Sequence, residues 1–273
     1  MLKSKGIITI AIGKKYAEQA KYLSLSCILN SPHTLRAVIT DCPDILKNFY
    51  DYIIPYNESF GYPFLLKTCL YIHTPFERTL YIDSDSLVFN NIDSFFETLE
   101  FGDFIYNGNK HYSGIWYLDI KSIIEKLEIK WFPIFNSGMF LFNKSETAKN
   151  VFQTASAFMS KYSDSDISFF RNQMLPDEPF FAMAFAKLNI NPHNDNNRFS
   201  RTLINAKNVR INILYGYASF IKENTPVFPL IVHFCGRFGN IFYIIQKIKL
   251  FFYFKPFFII FLSFFLNLFR KKI

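Results

Sequence analysis

The sequence predicts an α/β fold, a mainly parallel open sheet flanked by helices, in one domain over residues 1–240 followed by a basic, apolar tail at 241–273. Three observations predict it. Short β-branched runs alternate with longer helical patterns through the first hundred residues, as in strands joined by crossover helices. Half of the 273 residues are apolar and only 10 are Gly and 12 Pro, so collagenous and disordered classes are excluded and the chain can bury a core. Neither an internal repeat nor a Pro- or Ser-rich linker divides the first 240 residues.

Residues 7–12, IITIAI, form the first strand, an apolar run too short and too closely bounded by Lys for an export signal. Residues 16–29 follow as a helix stopped by the turn Asn30-Ser31-Pro32. Residues 35–40 are a strand closed by Asp41-Cys42-Pro43, and a short helix leads to a third strand at 52–54. Residues 64–73 read as a helix and 79–82 as a strand running into Asp83, which completes βαβαβαβ. Residues 103–143 carry short mixed strands punctuated by Asn, Gly and Ser. Residues 146–162 and 179–188 read as helices, 189–197 as a loop too polar to pack, and 227–234 as a late strand that ends at His233.

Phe is abundant, 35 of 273, and is assigned mainly to the core. Charge is unevenly placed. Residues 247–273 hold six of the net +8 charges and no acid, leaving +2 on the rest. A basic tail on a nearly neutral body points to an anionic membrane surface rather than to nucleic acid. Within residues 250–269, Lys255, Pro256, Ser263 and Asn267 leave an apolar stretch of about 13 residues, which reaches roughly 20 Å against a 30 Å hydrocarbon core. The tail is therefore expected to lie on the membrane through residues 248–273 as a bent interfacial helix. A single span is the alternative and would carry Arg270, Lys271 and Lys272 across; a packing helix or dimer interface is the bland one. Cys27, Cys42, Cys69 and Cys235 lack the spacings of zinc or redox motifs and read as free thiols. The expected location is cytoplasmic, peripheral on the inner face of a membrane.

Asp83-Ser84-Asp85 carries the first chemical signal. Carboxylates at i and i+2 at a strand end face one side and can share one hard divalent cation. Spacing alone does not select it, because Asp164-Ser165-Asp166 repeats it. Position does: the first pair follows a strand, and open α/β sheets collect ligands at the carboxyl ends of their strands, whereas the second follows a polar helix end and reads as a cap or loop.

The window RTLYIDSDSLVFNNIDSFFE at 78–97 resembles glycosyltransferase family 8, which includes glycogenin and bacterial lipopolysaccharide glucosyl- and galactosyltransferases. FNSGMFLFN at 135–143, PDEPFFAMAF at 176–185 and VHFCGR at 232–237 match the same family in the same order, so the resemblance spans residues 6 to about 238. It implies a GT-A fold, the Rossmann-like fold of nucleotide-diphospho-sugar transferases. It also implies transfer of a hexose from a UDP-sugar to a glycan or lipid-linked saccharide, with retention. Asp83, Asp85 and His233 are implied as ligands of Mn²⁺ or Mg²⁺, with Ser84 between them at the donor. Lys67 is implied at the diphosphate or donor sugar, and Tyr16 as the aromatic that stacks on uracil, with Ala11 and Ile12 nearby. Asn136 and Ser137 are implied at the sugar, and Gly236 and Arg237 at the end of the His-x-x-Gly motif. Asp177-Glu178 stands where the family has Asp-Gln beside the donor sugar, with Glu in place of Gln, and the pair is implied as catalytic, as nucleophile or as stabiliser of the oxocarbenium-like centre.

For several of these a plainer reading stands beside the implied one: a core histidine for His233, a solvated Lys67, a buried helix residue for Tyr16, an ordinary turn for Asn136-Ser137. Glu178 before Pro179 equally suits a helix start, where acids are favoured. One departure bears on activity. The Lys-Pro-Trp usual after His-x-x-Gly is replaced by Gly239, Asn240 and Ile241, and Arg237 is the basic residue nearby that can compensate. Two rivals remain, a haloacid-dehalogenase-like phosphatase using Asp83 and Asp85, and a degenerate nucleotide-sugar-binding membrane protein.

Overall fold

The computed structural model describes residues 4–57, 63–162, 175–195 and 198–255. In chain order the first half comprises β1 (Lys5–Ala11), α1 (Lys14–Asn30), β2 (Leu35–Thr40), α2 (Pro43–Leu46), β3 (Tyr52–Pro55), α3 (Leu70–His73), β4 (Arg78–Ile82), β5 (Ser86–Val88), α4 (Asp93–Glu97), β6 (Phe104–Ile105), β7 (Gly108–His111), α5 (Ile120–Leu127), β8 (Phe132–Phe135) and β9 (Met139–Asn143). Then come α6 (Glu146–Tyr162), α7 (Glu178–Lys187), β10 (Ser200–Thr202), β11 (Lys207–Asn212), β12 (Tyr217–Lys222), β13 (Thr225–Val227), β14 (Ile231–His233) and α8 (Arg237–Phe254).

The main sheet has the order β3-β2-β1-β4-β9-β6. Its first four strands are parallel, as the alternating pattern requires, and β9 runs antiparallel to both β4 and β6. Chain order reverses between β1 and β4. That reversal opens a crevice at the carboxyl ends of these two strands, where α/β sheets bind ligands. A second sheet, β10-β14-β5, brings β14 antiparallel to β5, so that His233 stands opposite Ser86.

Phe fills the core. Phe104 packs on Phe140, Phe142, Phe152 and Phe185 at centroid distances of 5.1–5.9 Å, and Tyr81 stacks on Phe140 at 4.9 Å. Each such ring contributes about 1.5–3 kcal/mol by leaving water. Residues 180–186 of α7 are buried all round, which makes α7 a rigid support for the acidic pair at its start.

The structure departs from the sequence expectations at four places. Residues 64–73 are two pieces, 3₁₀ turns at Pro63–Cys69 and then α3. The segment 103–143 contains a helix as well as strands: Asp119 caps α5 by accepting from Ser122 N at 2.8 Å, and Ile120, Ile123 and Leu127 form its buried face. Of residues 227–234 only Ile231–His233 form a strand of their own, β14; Val227 ends the separate strand β13, and the segment between them contains Pro229, which has no N–H for a ladder. Asp83 to Ser86 is a turn closed by Ser86 N to Asp83 O at 3.1 Å, so the two carboxylates share a side through the turn and not through strand pleating.

At the C-terminus α8 runs on from Gly236 without a break, burying Tyr243, Gln246 and Leu250 against the body. Among the described residues no helix is long and apolar enough to cross a membrane. Residues 256–273 of the tail and the pair Asp164/Asp166 lie outside the described residues.

Candidate active site

At the carboxyl end of β4 the chain turns through Asp83, Ser84 and Asp85 into β5, and the β5–β14 pairing brings His233 across to it. Phe234 N donates to Asp85 O at 3.1 Å and fixes the register beyond the ligand. His233 Nε2 lies 3.0 Å from Asp85 Oδ1 and 3.6 Å from Asp83 Oδ2. Asp83, Asp85 and His233 each offer one ligand atom within 4.8 Å of the others, the one such group found among the described residues.

The donor set fits a divalent transition ion better than Ca²⁺, which prefers oxygen throughout. Contacts on the far atoms of Asp83 and His233 orient these two ligands toward the site. Asp83 Oδ1 accepts from Lys67 Nζ and from the Tyr81 hydroxyl, which leaves Oδ2 toward His233. His233 Nδ1 lies 3.0 Å from Asn136 Oδ1, a contact that fixes ring orientation and directs Nε2 to the carboxylates. Burial opposes the charged imidazole, but Asp85 outweighs it and raises the His233 pKa above its usual value. Burial likewise works against the Asp85 carboxylate, and His233 pulls it below the usual range.

The turn Asn136-Ser137-Gly138, between β8 and β9, forms the second wall. Gly138 O accepts from Asp83 N at 2.9 Å, and a Cβ on Gly138 would overlap the His233 ring and Asn136 Oδ1. The turn sequence is therefore a site requirement.

Lys67 braces the wall from the 3₁₀ segment. Its ammonium contacts Asp177 Oδ2 at 2.9 Å, Asp83 Oδ1 at 3.1 Å, Ser137 Oγ at 2.9 Å and Ser137 O at 3.2 Å, and lies 5.1 Å from the Tyr81 ring centroid. Burial opposes its charge, yet Asp177 and Asp83 hold its pKa above the ordinary lysine value. Three N–H donors face four acceptors, so Lys67 is a buried cross-brace; the diphosphate contact implied by resemblance requires it to release one of them.

Glu178 is the first residue of α7, and its carboxylate also turns into the site. It accepts from Ser137 N at 3.1 Å and Asn136 Nδ2 at 3.2 Å, and hydrogen-bonds the Tyr117 side chain. Burial, then the neighbouring Asp177, raise the Glu178 pKa above the usual carboxylate value. Asp177 is buried and takes Ser137 Oγ at 3.2 Å.

The remaining expected residues lie at or just beyond the carboxyl ends of β1 and β14. The β1–β4 register, Ile8 opposite Tyr81, carries Ala11 level with the buried Ser84. Ala11 O already accepts from Thr40 Oγ1 at 2.8 Å, and Ile12 leads to α1. Tyr16, in the first turn of α1, is 43% exposed, which excludes the buried-helix reading and leaves the ring open to a ligand. Gly236, with φ +84°, caps α8 in a conformation that needs glycine, and Arg237 begins that helix. Gly239 to Ile241 lie in the first turns of α8, where a Cβ on Gly239 would come 2.8 Å from Phe234 O. The helix start therefore occupies the place of the absent Lys-Pro-Trp.

Sequence reasoning missed Tyr81, Gly138 and Tyr117 as site residues. Tyr81 and Tyr117 carry no motif, and only the Asn-Ser-Gly turn pointed toward Gly138.

A sheet whose switch point gathers an acidic pair, an imidazole and a buried Lys–Asp brace has the architecture of GT-A transferases. Residues 8–238 match the profile of glycosyl transferase family 8, and the chain belongs to that family of glycosyltransferases. Among solved structures it is similar to the galactosyltransferase LgtC in complex with donor and acceptor sugar analogs, with 18% identity, a TM-score of 0.55, and 85% of this chain and 87% of that one covered. It is similar also to the bifunctional glycosyltransferase WbbM, with 9% identity and a TM-score of 0.56, covering 87% of this chain and 46% of that one. With the glycosyltransferase GlyE of Streptococcus pneumoniae TIGR4 it shares 14% identity and a TM-score of 0.46, covering 67% of this chain and 43% of that one. The chain thus spans less than half the length of GlyE and WbbM. No curated protein matches it.

Proposed function

We propose that the protein is a divalent-cation-dependent hexosyltransferase that takes a UDP-sugar as donor and a glycan or lipid-linked saccharide as acceptor, with retention at the anomeric carbon. One observation carries this reading: Asp83, Asp85 and His233 converge at the switch point beside the Lys67–Asp177–Ser137–Glu178 network.

Asp83, Asp85 and His233 would hold Mn²⁺ or Mg²⁺, which when bound neutralises the negative charge that develops on the diphosphate as its bond to the anomeric carbon breaks. Tyr16 offers an open ring for the uracil, and Ala11 and Ile12 form the edge beneath it. Asn136 and Ser137 position the sugar. The carboxylates of Asp177 and Glu178 face the positive charge that builds on the anomeric centre, as paired carboxylates do in glycosidases. The electron pair of the broken bond leaves on the diphosphate oxygen, which takes the proton of the acceptor hydroxyl as that hydroxyl's oxygen forms the new bond on the same face of the sugar.

The C-terminus supports a peripheral, cytoplasmic-face location. Phe238, Ile241, Ile245, Ile248 and Phe252 make an exposed stripe along α8 at spacings of three and four, on a helix with no acid. The four cysteines are free thiols. The phosphatase rival falls with the family match and with an acidic pair that follows the fourth strand instead of standing near the start of the fold. The degenerate-binder rival is separated by turnover. Nucleotide sugars screened with Mn²⁺ should yield free nucleoside diphosphate from a UDP-sugar, and donor binding without any breakdown would overturn the catalytic reading.

A further inference from the structure

A polar cavity of about 540 Å³ shares a wall with the candidate site, since Asn136, whose Oδ1 holds the His233 imidazole, also lines it. Such a volume suits a small-molecule ligand. Thr202, another lining residue, ends β10 directly opposite His233 in the parallel β10–β14 pair, so the cavity is built against the strand that carries the histidine.

Charge in this cavity is unevenly satisfied. Buried Asp195 receives the Arg201 guanidinium at 2.6 and 2.9 Å, Asn107 Nδ2 at 2.9 Å and Phe199 N at 2.7 Å, so acid and guanidinium neutralise each other as a bidentate pair. Lys222 differs. It ends β12, and its ammonium donates to Thr202 O at 3.2 Å and to Thr202 Oγ1, both neutral acceptors. Among the described residues no carboxylate forms an ion pair with it. Glu223 follows at the exposed hairpin turn, where water screens it; its charge favours the ammonium only from a distance. Burial holds the Lys222 pKa below the usual lysine value, the mark of a desolvated charge without a full counter-charge. Asn107 Oδ1, in the same wall, is buried with no hydrogen-bond partner and suits a sugar hydroxyl.

We infer that this cavity receives the acceptor sugar and that Lys222 selects an acceptor bearing an anionic substituent, a carboxylate or a phosphate. The inference rests on the glycosyl-transfer reading and names the acceptor class within it. A charge-assisted hydrogen bond to a partly buried ammonium favours such a group over a neutral hydroxyl by about tenfold.

The test is calorimetric binding of methyl β-D-glucuronide, glucose 6-phosphate and methyl β-D-glucoside to the full-length protein, with Mn²⁺-dependent breakdown of the donor assayed on the same sample. The charged sugars should bind about tenfold more tightly than the neutral one, and the tighter of the two tells carboxylate from phosphate. Lys222→Met should level the three affinities and Lys222→Arg should keep most of the difference. Equal affinities in the wild type, or a preference that survives Lys222→Met, would overturn the inference. Lys222→Gln provides a second reading should Lys222→Met fail to fold: it keeps a donor toward Thr202 and removes the charge, so it should bring the three affinities together, and a preference of about tenfold that persists counts against the inference. Donor breakdown without the preference removes the inference alone. The preference without donor breakdown keeps the anion site and removes the transfer reading.

Discussion

His233 Nε2 lies 3.0 Å from Asp85 Oδ1 because two short strands, β5 and β14, pair antiparallel with Ser86 opposite His233. The acidic pair and the imidazole lie far apart in the chain, and one ladder of three residue pairs joins them.

The close fit of Gly138 against the His233 ring makes this glycine a determinant of cation binding. Gly138→Ala puts a methyl group where the His233 ring and Asn136 Oδ1 stand, so either the imidazole or the turn must shift. Loss of the partner that orients a histidine ligand costs about 10–100-fold in metal affinity. Mn²⁺ titration followed by calorimetry should show a fall of that size, and unchanged affinity would mean the ring is free to reorient.

Lys67→Met should destabilise the fold before it affects any chemistry. It leaves Asp177 and Asp83 without their shared cation, and breaking a buried pair from one side costs about 3–5 kcal/mol. For a domain of this size that is a Tm lower by about 10 °C. A Tm within a degree or two of wild type would show that Lys67 is not the brace.

Glu178 should leave a signature in the pH dependence of stability. Burial and Asp177 raise its native pKa above the unfolded value, so the folded chain keeps this proton to higher pH than the unfolded chain does. The resulting stabilisation is complete below about pH 4.3, the unfolded glutamate value, and is lost as pH rises through the native pKa. Relative to wild type, Glu178→Gln should therefore gain Tm between pH 4 and pH 7.5. A difference that stays flat with pH would place the carboxylate in water.

The tail prediction depends on where the chain is cut. Leu250 is fully buried, so a truncation at 248 would damage the body, whereas ending the chain at Lys255 removes only residues 256–273. The full chain should sediment with anionic vesicles and the shortened one should bind more weakly through the α8 stripe alone, with both released in part by high salt. A full chain that ignores vesicles would make the tail a packing element, and resistance to alkaline carbonate would make it a span.

The parallel core was legible because β1 to β4 are β-branched runs separated by helical ones, and period alone distinguishes them. The late strand reads as running from residue 227 because Val227 to Val232 are almost continuously apolar, and Pro229 is the one breaker among them. Asp83 and Asp85 were found for a reason that needed correction, since a turn and not a pleat aligns them. Helix α5 was hidden by punctuation-rich neighbours, although Asp119 and the spacing of Ile120, Ile123 and Leu127 marked it. The cavity walls, Lys222 among them, come from four separate segments, and no short motif could announce them.

The central claim is that Asp83, Asp85 and His233 hold the cation on which transfer depends. It is tested most directly by measuring Mn²⁺-dependent release of nucleoside diphosphate from UDP-sugars by the wild type, Asp85→Ala and Asp166→Ala. The account predicts release by the wild type and by Asp166→Ala, and a loss on the order of 10²-fold or more in Asp85→Ala with its fold intact. Equal rates in the two variants, or a wild-type rate indifferent to removal of divalent cations, would contradict it.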